Sequence, residues 1–190
     1  MIKGLILSLQ FYTRIPVNIP IDFNSKNIKY SIFFLPLVGA LIGTLGGLIY
    51  YMIRPYNTLI AGLTALLVTI ITTGGLHIDG LSDTFDGFLS NRNKAKILEI
   101  MQDSRIGAFG VLSIVLLILF KFILIISIEN LPIALILSFA NSRLIVSRII
   151  SYKKISKPEG LGNLFHNSNP KKLVNFSTFI YIIIFFCFFY

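Results

Sequence analysis

Residues 74–110 read GGLHIDGLSDTFDGFLSNRNKAKILEIMQDSRIGAFG, and this stretch contains five of the eight acidic residues in the chain. The five are Asp79, Asp83, Asp86, Glu99 and Asp103. Ionisable groups near a bilayer are costly unless they have a function or a partner. Carboxylates gathered in one place in an apolar chain therefore indicate a functional site.

The remainder of the chain has the composition of a membrane protein. Its 190 residues are 55% hydrophobic and only 13% charged, with a mean hydropathy of +0.81, whereas soluble domains carry roughly 25% charged residues. Continuous apolar runs favour helices over a transmembrane barrel, and no polar stretch is long enough for a soluble domain. The prediction is an all-α, polytopic membrane helical bundle that forms a single integral membrane domain over residues 1–190.

Five apolar segments approach the roughly 20 residues that a bilayer requires. Ahead of them, Leu5, Leu9 and Tyr12 fall at helical spacing and predict a short interfacial helix, which Pro16 and Pro20 end. The acidic stretch is predicted to form a helical segment between the second and third spans. The predicted spans are 31–52, 58–76, 108–128, 133–150 and 173–190.

Lysine and arginine alternate between the connections of these spans. Segments 1–30, 77–106 and 151–172 carry four, four and five of them, whereas the intervening turns carry only Arg54. The positive-inside rule places the three basic segments in the cytoplasm. The net charge of +9 is thus explained by topology and anionic lipid rather than by nucleic acid, and an active site is expected on the cytoplasmic face of the cell membrane.

Two further patterns concern packing and redox chemistry. Gly39, Gly43 and Gly47 recur every four residues in the first span, so they share one helix face and predict close contact with a neighbouring helix. The single cysteine, Cys187, excludes an internal disulfide and a cysteine-based metal site.

The spacing of the aspartates predicts a cation site. Asp79, Asp83 and Asp86 follow an i, i+4, i+7 pattern and would lie within an arc of about 60° on a helix, where a cation relieves their repulsion. Glu99 and Asp103 form a second i, i+4 pair, expected on the next helical segment. Mg²⁺ pairs such carboxylates with substrate phosphates. The alternative is that these are solvated carboxylates matched to the basic residues Arg92, Lys94, Lys96 and Arg105.

Four basic residues need separate interpretation. His77 could bind substrate or metal, carry protons, or be an ordinary interfacial residue. Arg105 is a candidate phosphate clamp or an ion-pair partner of Asp103. Arg143 lies deep in the fourth span and is expected to face the bundle interior, while Arg148 can snorkel to the cytoplasmic side. Lys121, in the third span, is given no role.

The motif GGLHIDGLSDTFDGF, followed by ILEIMQDSRIGAFGVL, resembles the cobalamin synthase family, also called adenosylcobinamide-GDP ribazoletransferases. FYTRIPV at 11–17 and GLGNLF at 160–165 are similar to that family as well. The resemblance covers nearly the whole chain. Family members usually continue with further membrane helices, whereas this sequence ends within an apolar run at Tyr190.

The resemblance implies that adenosylcobinamide-GDP and α-ribazole, or its 5′-phosphate, are joined with release of GMP. A ribose hydroxyl would attack the cobinamide-linked phosphate in a Mg²⁺-dependent reaction at the cytoplasmic membrane. The catalytic candidates are Asp83, Asp86 and His77, with one carboxylate, such as Asp86, as the base. The metal candidates are Asp79, Asp83, Asp86 and Asp103. The candidates for substrate and phosphate binding are Arg105, Arg143, Gly80 and Gly87.

Two other classes of protein share some of these features. A CDP-alcohol phosphotransferase also combines membrane helices, clustered aspartates and Mg²⁺, but its D-G-x-x-A-R run is missing, since Asp79-Gly80 is followed by Leu-Ser-Asp-Thr. A transporter would need carboxylates inside its spans, where this sequence has essentially none. The sequence leaves open whether the chain forms a homo-oligomer.

Overall fold

The computed structural model describes residues 1–153 and 160–189, and all regular secondary structure in those ranges is α-helical. The helical prediction is therefore confirmed. The helices are α1 (Ile2–Tyr12), α2 (Ser25–Phe33), α3 (Leu35–Ile53), α4 (Thr58–Thr73), α5 (Leu76–Leu89), α6 (Lys94–Ile100), α7 (Ala108–Ser127), α8 (Leu131–Tyr152), α9 (Leu161–Asn167) and α10 (Lys171–Phe189).

Three helical stretches in the described residues are long and apolar enough to cross a membrane: Ser25–Ile53, Ala108–Ser127 and Leu131–Tyr152. Two bent pairs, α4 with α5 and α9 with α10, raise the number to five if each pair forms one span. The chain is thus a helical membrane protein with three to five candidate spans, and the five predicted spans are the upper limit of that range. Residues 154–159 of the predicted polar loop, and Tyr190 of the last predicted span, lie outside the described residues.

The second predicted span, 58–76, ends early. Helix α4 stops at Thr73 because Gly74 and Gly75 adopt left-handed backbone conformations, with φ of +65° and +71°. Such conformations are accessible to glycine at little cost. Helix α5 then leaves at 85° to α4, and the Arg14 backbone N–H donates to the Thr72 carbonyl at 2.7 Å. The FYTRIPV segment is therefore fastened to the bend that leads into the acidic helix.

The glycine face of α3 packs directly against α8. A Cβ added to Gly43 would lie 2.6 Å from the Cα of Ile136, and one added to Gly47 would lie 2.9 Å from the Cα of Pro132. At Gly39 the added carbon would lie 2.9 Å from the Cγ of Arg143. The backbones of α3 and α8 therefore touch along this face, which confirms the prediction from the sequence.

Apolar side chains gather in two clusters. One joins α1, α2, the start of α3, α9 and α10 through residues such as Leu7, Ile32 and Phe165. The other joins α3, α4, α7 and α8 through residues such as Leu66 and Ile125. The predicted N-terminal helix exists as α1, but it ends at Tyr12, before either proline, and its buried face packs in the first cluster.

Candidate active site

The three aspartates predicted to share a helix do share one. Asp79, Asp83 and Asp86 all lie on α5, with Asp79 in its first turn. Because α5 is nearly perpendicular to α4, it runs across the end of that span rather than along it. Asp79 is exposed, while Asp83 and Asp86 are half-buried. The side chains nevertheless have different surroundings.

Asp86 binds the beginning of α7. Its Oδ2 accepts the N–H of Gly107 at 2.7 Å, and its Oδ1 accepts the N–H of Gly110 at 2.8 Å. Gly107 is the N-cap of α7, so the carboxylate satisfies two donors where the helix dipole favours negative charge. A Cβ at either glycine would collide with this carboxylate. Asp86 therefore joins α5 to α7, which sequence spacing alone did not reveal.

Asp79 and Asp83 have no such partner. Among the described residues the ion pairs join Lys96 to Glu99 and Arg105 to Asp103, each at 2.7 Å. Partial desolvation, and then the nearby carboxylates of Asp79 and Asp86, raise the pKa of Asp83 above its ordinary value. These neighbours repel one another, so α5 carries a negative charge that the described protein does not neutralise.

Glu99 and Asp103, the second acidic pair, do not share a helix as predicted. Glu99 lies on α6, but that helix ends at Ile100 and Asp103 lies in the turn that follows. The Asp103 carboxylate accepts the backbone N–H of Arg105 at 3.0 Å and its guanidinium at 2.7 Å. Aspartates that bond their own following backbone favour turns over helix, so the expectation of one shared helical segment was wrong.

The contacts around Asp103 also test the alternative that the acidic residues are solvated carboxylates paired with nearby basic residues. The hydrogen bonds from Arg105 lower the pKa of Asp103 to about 2, and Asp103 in turn raises the pKa of Arg105. The ion pair of Arg105 with Asp103 that this alternative named is therefore present, and Lys96 also pairs with Glu99. The roles of Asp103 in metal binding and of Arg105 in phosphate binding stay predictions.

Gly80 and Gly87, the two glycines predicted to allow phosphate access, differ in their surroundings. A Cβ on Gly80 would have nothing within 4 Å, so the backbone there is approachable. A Cβ on Gly87 would lie 2.8 Å from Cγ of Met101 and 3.2 Å from Cγ2 of Ile97. Gly87 is thus explained by the packing of α5 on α6, whereas Gly80 lies beside open space next to Asp79.

The carboxylates suit a metal ion only in part. In residues 1–153 and 160–189, no group of three or more His, Cys, Asp or Glu side chains is arranged to hold a metal. Mg²⁺ commonly uses one or two carboxylates and takes its other ligands from water and substrate phosphates. The unpartnered oxygens of Asp79 and Asp83 fit that donor set, and the oxygens of Asp86 already accept two N–H groups.

A cavity of about 350 Å³ lies between α4, α5, α7 and α8. It brings together His77, predicted as catalytic, and Arg143, predicted to bind phosphate, and Lys121 joins them. Arg143 is buried, at 3% exposed, as its place in the span predicted. The aspartates of α5 do not line this cavity. Lys121 was missed, although a lysine in the middle of an apolar span is itself a signal of function.

Fold and site together define a helical integral membrane protein that carries an acidic helix across the end of one span. Within that class, the chain belongs to the cobalamin-5-phosphate synthase family, whose sequence profile matches residues 4–190. The family match decides against a CDP-alcohol phosphotransferase and against a transporter.

Individual relatives support the assignment. The chain is 44% identical to the adenosylcobinamide-GDP ribazoletransferase of Treponema denticola over 182 residues, which are 96% of this chain and 68% of that protein. It is 38% identical to the enzyme of that name from Clostridium botulinum strain Langeland over 188 residues, 96% of this chain and 75% of the relative. The corresponding Alkaliphilus oremlandii protein is 42% identical over 171 residues, 87% and 68% of the two chains. No solved structure matches.

Proposed function

We propose that the chain acts as an adenosylcobinamide-GDP ribazoletransferase. It joins adenosylcobinamide-GDP to α-ribazole or α-ribazole 5′-phosphate, and GMP is released. A ribose hydroxyl oxygen forms a bond to the cobinamide-linked phosphorus while the P–O bond to GMP breaks and its electron pair leaves with GMP. The hydroxyl proton passes to a carboxylate base. Family membership and the relatives' names support this reaction.

One observation about the site carries the proposal. Of the five carboxylates in residues 74–110, Asp86, Glu99 and Asp103 bond to groups of the protein itself. Asp79 and Asp83 have no hydrogen bond or ion pair within the described residues, and they flank the open backbone of Gly80. A pair of unneutralised carboxylates beside free space suits a cation and a diphosphate.

The residues then have distinct roles. Asp79 and Asp83 would hold Mg²⁺, which when bound would neutralise the charge that develops on the diphosphate. Gly80 lets a phosphate approach the backbone of α5. Asp86 keeps α5 seated on α7, and a carboxylate of α5 accepts the hydroxyl proton.

The reaction is tested with the purified full chain in detergent. Adenosylcobinamide-GDP, α-ribazole and Mg²⁺ should yield GMP, and EDTA should stop the reaction until Mg²⁺ is restored. CDP-alcohols should yield no CMP. Release of CMP, or of GMP without an acceptor, would contradict the proposal.

We further propose one integral domain in the cell membrane with α5 on its cytoplasmic face. The lysine and arginine distribution supports this orientation. A cysteine introduced at Asn91, after α5, should be protected from an impermeant maleimide in intact cells, and one at Asn57, between α3 and α4, should react. Cys187 is replaced by serine in both variants. Labelling in the opposite order would reverse the topology.

A further inference from the structure

The cavity between α4, α5, α7 and α8 has mostly apolar walls and three basic side chains in its lining. Lys121 comes from α7, Arg143 from α8 and His77 from the first turn of α5. No aspartate or glutamate lines it. Leu66, Ile125 and Phe139 are among its apolar residues. A site with cations and no acid inside an apolar wall is shaped for an anion attached to an apolar body.

Arg143 is the strongest evidence that a ligand is needed. It is 3% exposed, its Nε has no hydrogen-bond partner, and its Nη1 reaches only the Ser142 hydroxyl at 3.4 Å. The guanidinium also lies 5.9 Å from the ring centre of Phe139. Within the described residues no carboxylate pairs with it. Burying a guanidinium this way is costly unless an anion completes its hydrogen bonds.

The packing of α8 holds Arg143 in place. Gly39 of α3 provides the space beside its stem, since a Cβ there would lie 2.9 Å from Cγ of Arg143. Any larger side chain in place of Gly39 would require α3 and α8 to move apart. The guanidinium is thus pre-positioned in the cavity, and pre-positioned arginine is well suited to bind phosphate oxygens.

We propose that this cavity binds the acceptor nucleotide, with Arg143 and Lys121 holding the 5′-phosphate of α-ribazole 5′-phosphate and the apolar walls holding its base. This rests on the proposed function. The volume of about 350 Å³ is at the small end of the range for ligand pockets, which suits a nucleoside monophosphate and excludes the much larger corrinoid donor. A monophosphate bound by the side chains of Arg143 and Lys121 also needs no metal ion to balance its charge.

The position of the cavity agrees with the reaction. His77 lines it and lies two residues before Asp79 on α5. An acceptor seated with its phosphate on Arg143 would therefore have its ribose near the helix that carries the proposed diphosphate site. The acceptor and the donor would meet at α5 from opposite sides.

The test measures binding without the donor. The full chain is placed in phosphatidylcholine nanodiscs, and the dissociation constants of α-ribazole 5′-phosphate and of α-ribazole are compared by calorimetry. The wild-type chain should bind the phosphorylated form at least about tenfold more tightly, as expected for a charge-assisted arginine contact. Arg143→Gln should remove this preference, and so should Lys121→Gln, which does not disturb the α3–α8 contact.

Arg148→Gln is the matched control. Arg148 is on the same helix but is exposed and bonds Thr178 at 3.2 Å, so its variant should keep the preference. Equal binding of the two acceptors by the wild-type chain, or an unchanged preference in both cavity variants, would overturn the proposal. Failure of GMP release would instead count against the proposed reaction.

Discussion

Two stretches of α5, 79–83 and 86–87, carry the same kind of side chain with different consequences. In the later stretch, Asp86 and Gly87 are pressed against α7 and α6, and the Asp86 oxygens accept two backbone N–H groups. In the earlier stretch, Asp79 and Asp83 flank Gly80, beside which there is open space. An aspartate can thus be structural or free to bind a ligand one turn away on the same helix.

The largest effect is expected at Asp83. Asp83→Asn should lower the rate of GMP release by at least about 100-fold, since loss even of outer-shell partners of a metal costs 10–100-fold. Its thermal stability should stay unchanged or rise, because repulsion from Asp79 and Asp86 is relieved. Glu99→Gln, which removes an exposed ion pair, is the control and should keep activity. Equal losses in both variants would contradict a special role for the 79–83 stretch of α5.

Glycine substitutions next to the two stretches of α5 test the same difference through stability. Gly110→Ala should destabilise the protein by about 1–3 kcal/mol, since the new methyl group collides with Asp86 and Ser82 and overpacking has that cost. Gly80→Ala should leave stability unchanged or raise it by up to about 1 kcal/mol through better helix propensity. Thermal unfolding in detergent measures both. Similar unfolding of the two variants would show that the 79–83 and 86–87 stretches of α5 do not differ in packing.

A third prediction concerns Asp86 as a cap. Asp86→Ala should cost about 0.5–2 kcal/mol of stability, the usual range for a lost N-cap. The amides of Gly107 and Gly110 should then exchange hydrogen faster while those in the middle of α7 keep their protection. Asp86→Asn should lose less, because its amide oxygen still accepts one N–H. Uniformly faster exchange along α7 would indicate global destabilisation instead.

The smallest effect belongs to the exposed turn after α6. The pKa of Asp103, about 2 in the folded chain, is below its ordinary value of roughly 3.9. Its contribution to stability is therefore complete above the ordinary pKa and is lost as the pH falls through the folded value. Arg105→Gln should return the pKa towards the ordinary value in a carboxyl NMR titration, and Lys96→Gln should hardly move it. An unchanged pKa in Arg105→Gln would exclude the ion pair.

Several features of the fold followed from local pattern. Apolar runs of bilayer length predicted α7 and α8 to within two residues at each end. The glycine interval in α3 predicted a close contact, because residues four apart share a face whatever the partner is. The sequence could not predict that the partner is α8. This helix lies about a hundred residues after α3 in the chain, and only tertiary packing brings the two together.

The candidate site was less predictable. The left-handed turn at Gly74 and Gly75 ended α4 earlier than hydropathy indicated. Asp103 left its predicted helix because its carboxylate found the Arg105 backbone. Lys121 was given no role from the sequence, and the cavity lining places it with Arg143 and His77.

The sequence by itself determined that the chain is a membrane protein, that it is helical and that three aspartates share one helix. Hydropathy and helical period decide these features, and both are local properties of the chain. The tertiary structure alone decided which carboxylate is bound and which is free, and which cations share a cavity. Those outcomes depend on contacts between residues distant in the chain, such as Asp86 with Gly107 and Gly110, and no spacing rule encodes them.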